Sequence, residues 1–324
     1  MSHFGSAPLP ESSVPKRSEA AAVEVTEVVA LDRMREFIGW IDPMKDDGQV
    51  ELALSEFLRR QQRHAANPSP LQTLRGETRV AGAYMMLLGA RVAAVAGVRA
   101  IDNYSNRAVA LLGQLVADVR SQGVVQIQAI LNSDDSVATE IVEHAGFLPL
   151  ADLQQLVLPI RVYEHLPNVA LPSGLQWTAA SQLPRARVVQ AIAHTFIETL
   201  DCPELNGLRT PEDVLDGFLD GQSLEQQDEW WMLEGGDKLI GCVLVSRMAN
   251  GAAELVYMGL GPTSRGRGYG RLLIEQAIVA AKRGRCETMV AAVDCSNWPA
   301  TRLYLQAGFN ELARVQAWFH QLRG

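Results

Sequence analysis

Between Leu175 and Phe319 short apolar runs alternate with amphipathic stretches, and their order predicts the elements. "LQWTAA" (Leu175–Ala180) reads as a short strand. Apolar residues then recur at helical spacing around Ala186–Leu200 and again near Pro211–Asp220. "EWWMLEGGDKLIGCVLVSRMANGAAELVYMGL" reads as three strands, with hairpin dipeptides at Gly235-Gly236 and Asn250-Gly251. "RLLIEQAIVAAKR" (Arg271–Arg283) has a helical stripe, with Lys282 and Arg283 in its last turn and Gly284 to close it. "CETMVAAV" is a strand. A helix from about Asn297 to Ala307 follows, with Pro299 in its first turn and Gly308 past its end. "ELARVQAWF" is the last strand. The predicted order is β-α-α-β-β-β-α-β-α-β.

The first half repeats this plan. "LNSDDSVATEIVEHAGF" (Leu131–Phe147) aligns with "VDCSNWPATRLYLQAGF" (Val293–Phe309) at an offset of 162. The same offset lays "AGVRAIDNYSNRAVALL" (Ala96–Leu112) on "MGLGPTSRGRGYGRLLI" (Met258–Ile274). Two echoes at one ungapped offset indicate an internal duplication. The division follows: a first domain over 23–160, a linker over 161–174 with Pro167 and Pro172, and a second domain over 175–324. Residues 1–22 are rich in Ser, Pro and Ala and lack an apolar core. They read as a disordered tail and not a signal peptide, which predicts a cytoplasmic protein.

Bulk chemistry removes several function classes. A net charge of −8 disfavours nucleic acid as a partner. No apolar run approaches the roughly 18 residues of a membrane helix, so no membrane partner is expected. Cys202, Cys242, Cys286 and Cys295 form no CxxC pair and no cluster with zinc spacing. They are expected to be free thiols, Cys242 and Cys286 in strand-like runs, and no metal site is expected. The acid is concentrated: ten carboxylates lie between Glu198 and Glu229, with only Arg209 among them. A solvated face explains such a run, and so does a surface that attracts a cation.

The stretch "SRGRGYGRLL" (Ser264–Leu273) joins an apolar strand to a helix and places Gly266, Gly268 and Gly270 among arginines. A helix start leaves N–H groups unpaired and carries partial positive charge. Residues without Cβ let a phosphate approach those groups, and Arg265, Arg267 and Arg271 add charge. There is no GK[ST] ending as in a Walker loop, and Arg271 stands where a Rossmann loop has its third glycine.

"RGRGYG" (Arg265–Gly270) matches the [QR]-x-x-G-x-[GA] signature of the GNAT superfamily of N-acetyltransferases, which the second half resembles. The preceding strand, the following helix and "NWPATRLYLQAGF" resemble that family's core motifs in the same order. The first half resembles the fold without the signature. The resemblance implies an α/β fold of two tandem GNAT-like domains. Each would be a mixed, mostly antiparallel twisted sheet flanked by helices. It also implies acetyl-CoA as acyl donor. Its pyrophosphate would lie on Arg265, Gly266, Arg267, Gly268, Tyr269, Gly270 and Arg271, and its pantetheine arm beside Met258, Gly259 and Leu260, with Asn297 touching the arm.

The resemblance further implies Tyr304 as the acid for the leaving thiolate and Glu254 as the base acting through water. Even spacing on one strand puts Glu254 on the face of Leu260. Glu234 and Glu198 are weaker candidates for the base, and the Leu260 N–H is the expected oxyanion donor. At the 162 offset Arg265, Gly268, Gly270, Asn297 and Tyr304 become Asn103, Asn106, Ala108, Asp135 and Val142, so the first domain is expected to be inactive. The acceptor is expected to be a small-molecule or peptide amine, drawn in by the acidic run if cationic. Trp230 and Trp231 could add an aromatic wall. The competing readings are a non-catalytic acyl-CoA-binding regulatory module and a structural scaffold.

Overall fold

The computed structural model describes residues 23–63, 68–89, 91–162, 171–205, 207–219, 222–248 and 250–322. The tail over 1–22 and most of the linker, 163–170, lie outside them. One order of elements occurs twice. The first set is β1 (Val23–Glu27), α1 (Leu31–Ile41), α2 (Asp47–Arg63), β2 (Leu71–Arg75), β3 (Thr78–Leu87), β4 (Val92–Ala100), α3 (Ser105–Ser121), β5 (Gln126–Asn132), α4 (Ser136–His144) and β6 (Leu148–Pro159). The second is β7 (Leu175–Ala179), α5 (Arg185–Phe196), α6 (Pro211–Leu219), β8 (Trp230–Gly235), β9 (Lys238–Arg247), β10 (Ala253–Leu260), α7 (Tyr269–Arg283), β11 (Thr288–Asp294), α8 (Trp298–Gln306) and β12 (Asn310–Gln321). At an offset of 162 the bounds of β5, α4 and β6 coincide with those of β11, α8 and β12.

Local chemistry explains the boundaries. Asp135 caps α4 by accepting from the Ala138 N–H at 2.9 Å, and Asn297 caps α8 by accepting from Ala300 at 3.4 Å. Gly146 and Gly308 end these helices at φ 85° and 87°. Two expectations are corrected. Helix α5 stops at Phe196 and not near Leu200, because Glu198 turns to φ 52°. Gly284 keeps a helical φ of −70°, and the left-handed residue after α7 is Arg285 at φ 55°. The matching position of the first domain is Gly123 at φ 87°. Cys286 is buried in the turn before β11, not in a strand.

All twelve strands form one sheet in the order β1-β2-β3-β4-β5-β12-β6-β11-β10-β9-β8-β7. Only β4–β5 and β10–β11 pair in parallel. The two last strands are exchanged: β12 sits beside β5 of the first domain, and β6 sits beside β11 of the second. They pair with each other at the centre, from Asn310–Val157 to Phe319–Leu148. Helices cover both faces. On one face α7 buries Leu273, Ile274, Ala277 and Ile278 against Val243, Val245 and Leu255. On the other, α5 and α6 bury Val188, Ile192, Leu215 and Leu219 against Trp230, Met232 and Leu244. The first domain is layered likewise by α3 with α4 and by α1 with α2.

Strand β10 meets β11 only at Ala253–Met289 and Glu254–Val290, and then the two diverge. The β11-facing backbone edge of β10 therefore has no strand partner from Leu255 to Leu260. The glycine loop of the second domain follows the diverging end of β10.

Candidate functional site

The glycine loop opens at the head of α7. Gly266 and Gly268 have φ of 72° and 81°, in the left-handed region that glycine enters at no steric cost. A Cβ at either would meet no atom within 4 Å, so these glycines serve conformation and access. Gly270 is different: its Cβ would stand 2.8 Å from Leu303 Cδ2, so it lets α7 pack on α8. Among the described residues the N–H groups of Gly266, Arg267, Gly268, Tyr269 and Gly270 donate to no protein acceptor. Gly266, Arg267, Gly268 and Arg271 are exposed, and Arg271 also pairs with Glu275 at 2.8 Å. Five unbonded N–H groups at a helix head with two arginines beside them suit a pyrophosphate.

The first domain has no such loop. A short 3-10 turn over Asp102–Tyr104 runs directly into α3, so helical structure begins where the second domain has its glycines. Tyr104 and Asn106 replace Gly266 and Gly268 there. The same two-domain chain thus shows the fold with and without the cradle.

Arg265 is not aimed at a ligand. Its guanidinium makes four hydrogen bonds to backbone carbonyls: Leu260 at 3.1 Å, Glu198 at 2.8 Å, Thr195 at 3.1 Å and Ile197 at 2.7 Å. It closes the carbonyl end of α5, which helix geometry leaves unpaired. Gly259 also differs from expectation. The space beside it is filled by Tyr257 Oη and Thr195, which a Cβ would meet at 2.5 and 2.7 Å. Tyr257 itself stacks between Phe196 and Phe218, with centroids at 5.2 and 5.4 Å.

Glu254 lies on the face of β10 opposite Leu260. A bulge at Val256 adds one residue to the alternation, so Leu255, Met258 and Leu260 pack toward α7 while Val256 and Tyr257 pack toward α5 and α6. Glu254, exposed, opens on the α6 side into a cleft of about 1250 Å³. Both domains wall this cleft, the first with Glu56, Arg60 and Tyr84 and the second with Arg247, Glu254 and Val256. Glu234 is withdrawn by Arg187 at 3.1 Å and the Thr178 hydroxyl at 2.6 Å. Trp230 is buried core, Trp231 lies beneath Arg283 at 5.6 Å, and neither lines the cleft.

Tyr304 is buried, edge-on to Phe309 at 5.2 Å. Burial raises its phenol pKa above the ordinary range, and the nearby Asp201 charge raises it further. Asn297 opens the same helix, its Oδ1 accepting from the Ala300 N–H at 3.4 Å. Asp201, from the acidic run, accepts from the Asp294 N–H at 3.1 Å. Elsewhere that run is partly paired: Asp216 with Arg185, and Asp213 with Arg91 at 3.7 Å. Among the described residues no three His, Cys, Asp or Glu side chains could hold a metal ion, and no helix is long and apolar enough to cross a membrane.

A helix head with unbonded N–H groups thus stands beside a strand edge that no other strand covers. Residues 194–309 match the family model described as the Acetyltransferase (GNAT) family. The fold extends the likeness to both halves. A GCN5-related N-acetyltransferase from Sphaerobacter thermophilus superposes with a TM-score of 0.64 at 16% identity, over 93% of this chain and 96% of that one. A tandem GNAT protein from the clavulanic acid biosynthesis pathway superposes at 0.56 and 14%, over 94% and 99%. No curated protein matches the sequence significantly.

Proposed function

We propose that the chain is an acetyl-CoA-dependent N-acetyltransferase acting on a primary amine by direct attack. The observation that carries this reading is the contrast between the domains: five unbonded N–H groups at the head of α7, and at the same place in the first domain a kinked 3-10 turn that leads directly into α3 without glycine. Bound acetyl-CoA supplies an activated acyl thioester. The Gly266–Gly270 amides hold its pyrophosphate, with Arg267 and Arg271 adding charge, and the open edge of Met258, Gly259 and Leu260 pairs with its arm in the manner of an added strand. Arg265 supports the loop from behind. Tyr304 Oη keeps its proton at neutral pH and is the donor for a leaving sulfur. Glu254 faces the shared cleft, where its carboxylate takes the amine proton through water. The cleft exceeds the roughly 300–1,000 Å³ of ordinary ligand sites and carries charges of both signs, which favours a sizeable polar amine over a simple polycation.

Calorimetric titration with acetyl-CoA tests this. One site per chain is expected, abolished by Gly268→Glu, followed by thiol release in an amine screen. No binding at millimolar acetyl-CoA overturns the enzyme reading, and binding without release by any amine leaves the regulatory module.

A further inference from the structure

The end of β10 lies against the last turn of α5, and one pair of residues is fitted there. A Cβ on Gly261 would overlap Nε2 and Cδ2 of His194. Backbone conformation does not call for glycine at this position, since φ −60° and ψ 150° suit any residue. Arg265 fixes the fit: its guanidinium ties the Leu260 carbonyl to the Thr195, Ile197 and Glu198 carbonyls. His194 is half-buried, and among the described residues neither ring nitrogen has a protein hydrogen-bond partner.

The first domain fills the same place differently. At the 162 offset Gly259 and Gly261 correspond to Gly97 and Arg99. A Cβ on Gly259 would meet Thr195, and one on Gly97 would meet Ile41, so Thr195 and Ile41 hold matching positions. The residues before them are His194 and Trp40. Arg99 lies over the Trp40 ring at 5.0 Å and donates to the Trp40 carbonyl. In the domain without the glycine loop, a long side chain therefore covers the ring. In the domain with the loop, glycine leaves the place to an imidazole whose hydrogen-bonding capacity is unused.

The location gives that capacity a use. The Gly261 N–H donates to the Ile240 carbonyl at 2.9 Å, so position 261 still pairs with β9. Alternation turns the Leu260 N–H to the edge that lacks a strand partner. His194 thus stands along the stretch of chain between that edge and the glycine loop. We propose that His194 is a cofactor-binding residue: its imidazole hydrogen-bonds an amide or hydroxyl of the acetyl-CoA arm between the Gly266–Gly270 amides and the edge at Met258–Leu260. The proposal rests on the transferase reading. It adds a residue that belongs to no core motif, and it gives Gly261 a reason that only the packed pair reveals.

Calorimetry on the full chain with acetyl-CoA and with ADP, which carries a pyrophosphate and no such arm, tests it. His194→Phe keeps a ring without nitrogens. Its acetyl-CoA affinity should fall about three- to tenfold, its ADP affinity should stay within about twofold, and its melting temperature within about 3 °C of the parent. His194→Gln keeps a polar end and should hold acetyl-CoA within about twofold of the parent. Gly261→Ala should reproduce the loss seen in His194→Phe, with a lower melting temperature from the overlap. Adding His194→Ala to it should restore the melt and not the affinity. Parent-like acetyl-CoA affinity in His194→Phe overturns the inference. So does an equal loss for both ligands, which makes the ring a support for the loop alone, and so does a loss in His194→Gln equal to that in His194→Phe. If ADP does not bind the parent, the difference between the Phe and Gln variants decides. A parent chain that binds no acetyl-CoA overturns the transferase reading instead, whereas each failure named above leaves that reading standing.

Discussion

The three glycines of the loop look equivalent in sequence and are not. At Gly268, φ 81° makes any side chain costly by about 1–2 kcal/mol, although its surroundings are open. Gly270 is helical, and the atom it makes room for is the far end of a leucine, which can shift. The first domain already carries Ala108 at that position within α3. Gly268→Ala should therefore lower the melting temperature by a few degrees and weaken acetyl-CoA binding about tenfold or more, since the N–H groups it aligns move with it. Gly270→Ala should leave both near the parent, the gain in helix propensity of about 0.8–1.0 kcal/mol offsetting the Leu303 shift. Thermal melts with calorimetry separate the two, and equal losses would mean that the loop needs glycine at Gly270 for access as well. The pattern of glycines was legible, but their separate reasons were not, because φ and the position of Leu303 depend on the packed helices.

Element by element, the periodicity of the chain located strands and helices well and misjudged what lies between them. The Val256 bulge is invisible to strict alternation, so Glu254 was placed on the face of Leu260 when it opens on the other. Arg265 reads as one more loop cation, yet its planar fork meets four carbonyls around the end of α5. Local sequence cannot reveal this, since three of the four carbonyls lie at residues 195–198, far along the chain from the arginine. The two arginines of the signature should therefore separate. Arg265→Ala should cost about 1.5–3 kcal/mol of stability by leaving carbonyls unpaired, and should raise amide exchange at residues 196–200. Arg267→Ala should leave stability within about 0.5 kcal/mol, being exposed, and should lower acetyl-CoA affinity in a salt-dependent way. Urea melts paired with titrations at two salt concentrations would check this. A stable Arg265→Ala chain with lost affinity would return Arg265 to the ligand.

At the scale of the whole molecule the duplication was legible from two aligned echoes, and the exchange of last strands was not. Both β6 and β12 alternate as strands should, and alternation says which face is buried without saying which neighbour is chosen. The consequence is that neither domain is complete in sequence order. Within residues 175–324, β11 would lose β6, and β12 would lose both of its partners, β5 and β6. Buried Val315, Ala317 and Trp318 of β12 would then be exposed on an unpaired strand, a template for aggregation. The same holds for residues 23–160, where β5 would lose β12. Each half expressed alone should therefore be insoluble or associated. Both halves produced together, divided within residues 163–170, should assemble one-to-one and bind acetyl-CoA with the stoichiometry of the intact chain. Size-exclusion chromatography with light scattering and calorimetry decides the matter. A monomeric, cooperatively melting 175–324 fragment that binds acetyl-CoA would show that the second domain closes its own sheet, and that the first domain is an appendage and not half of the structure.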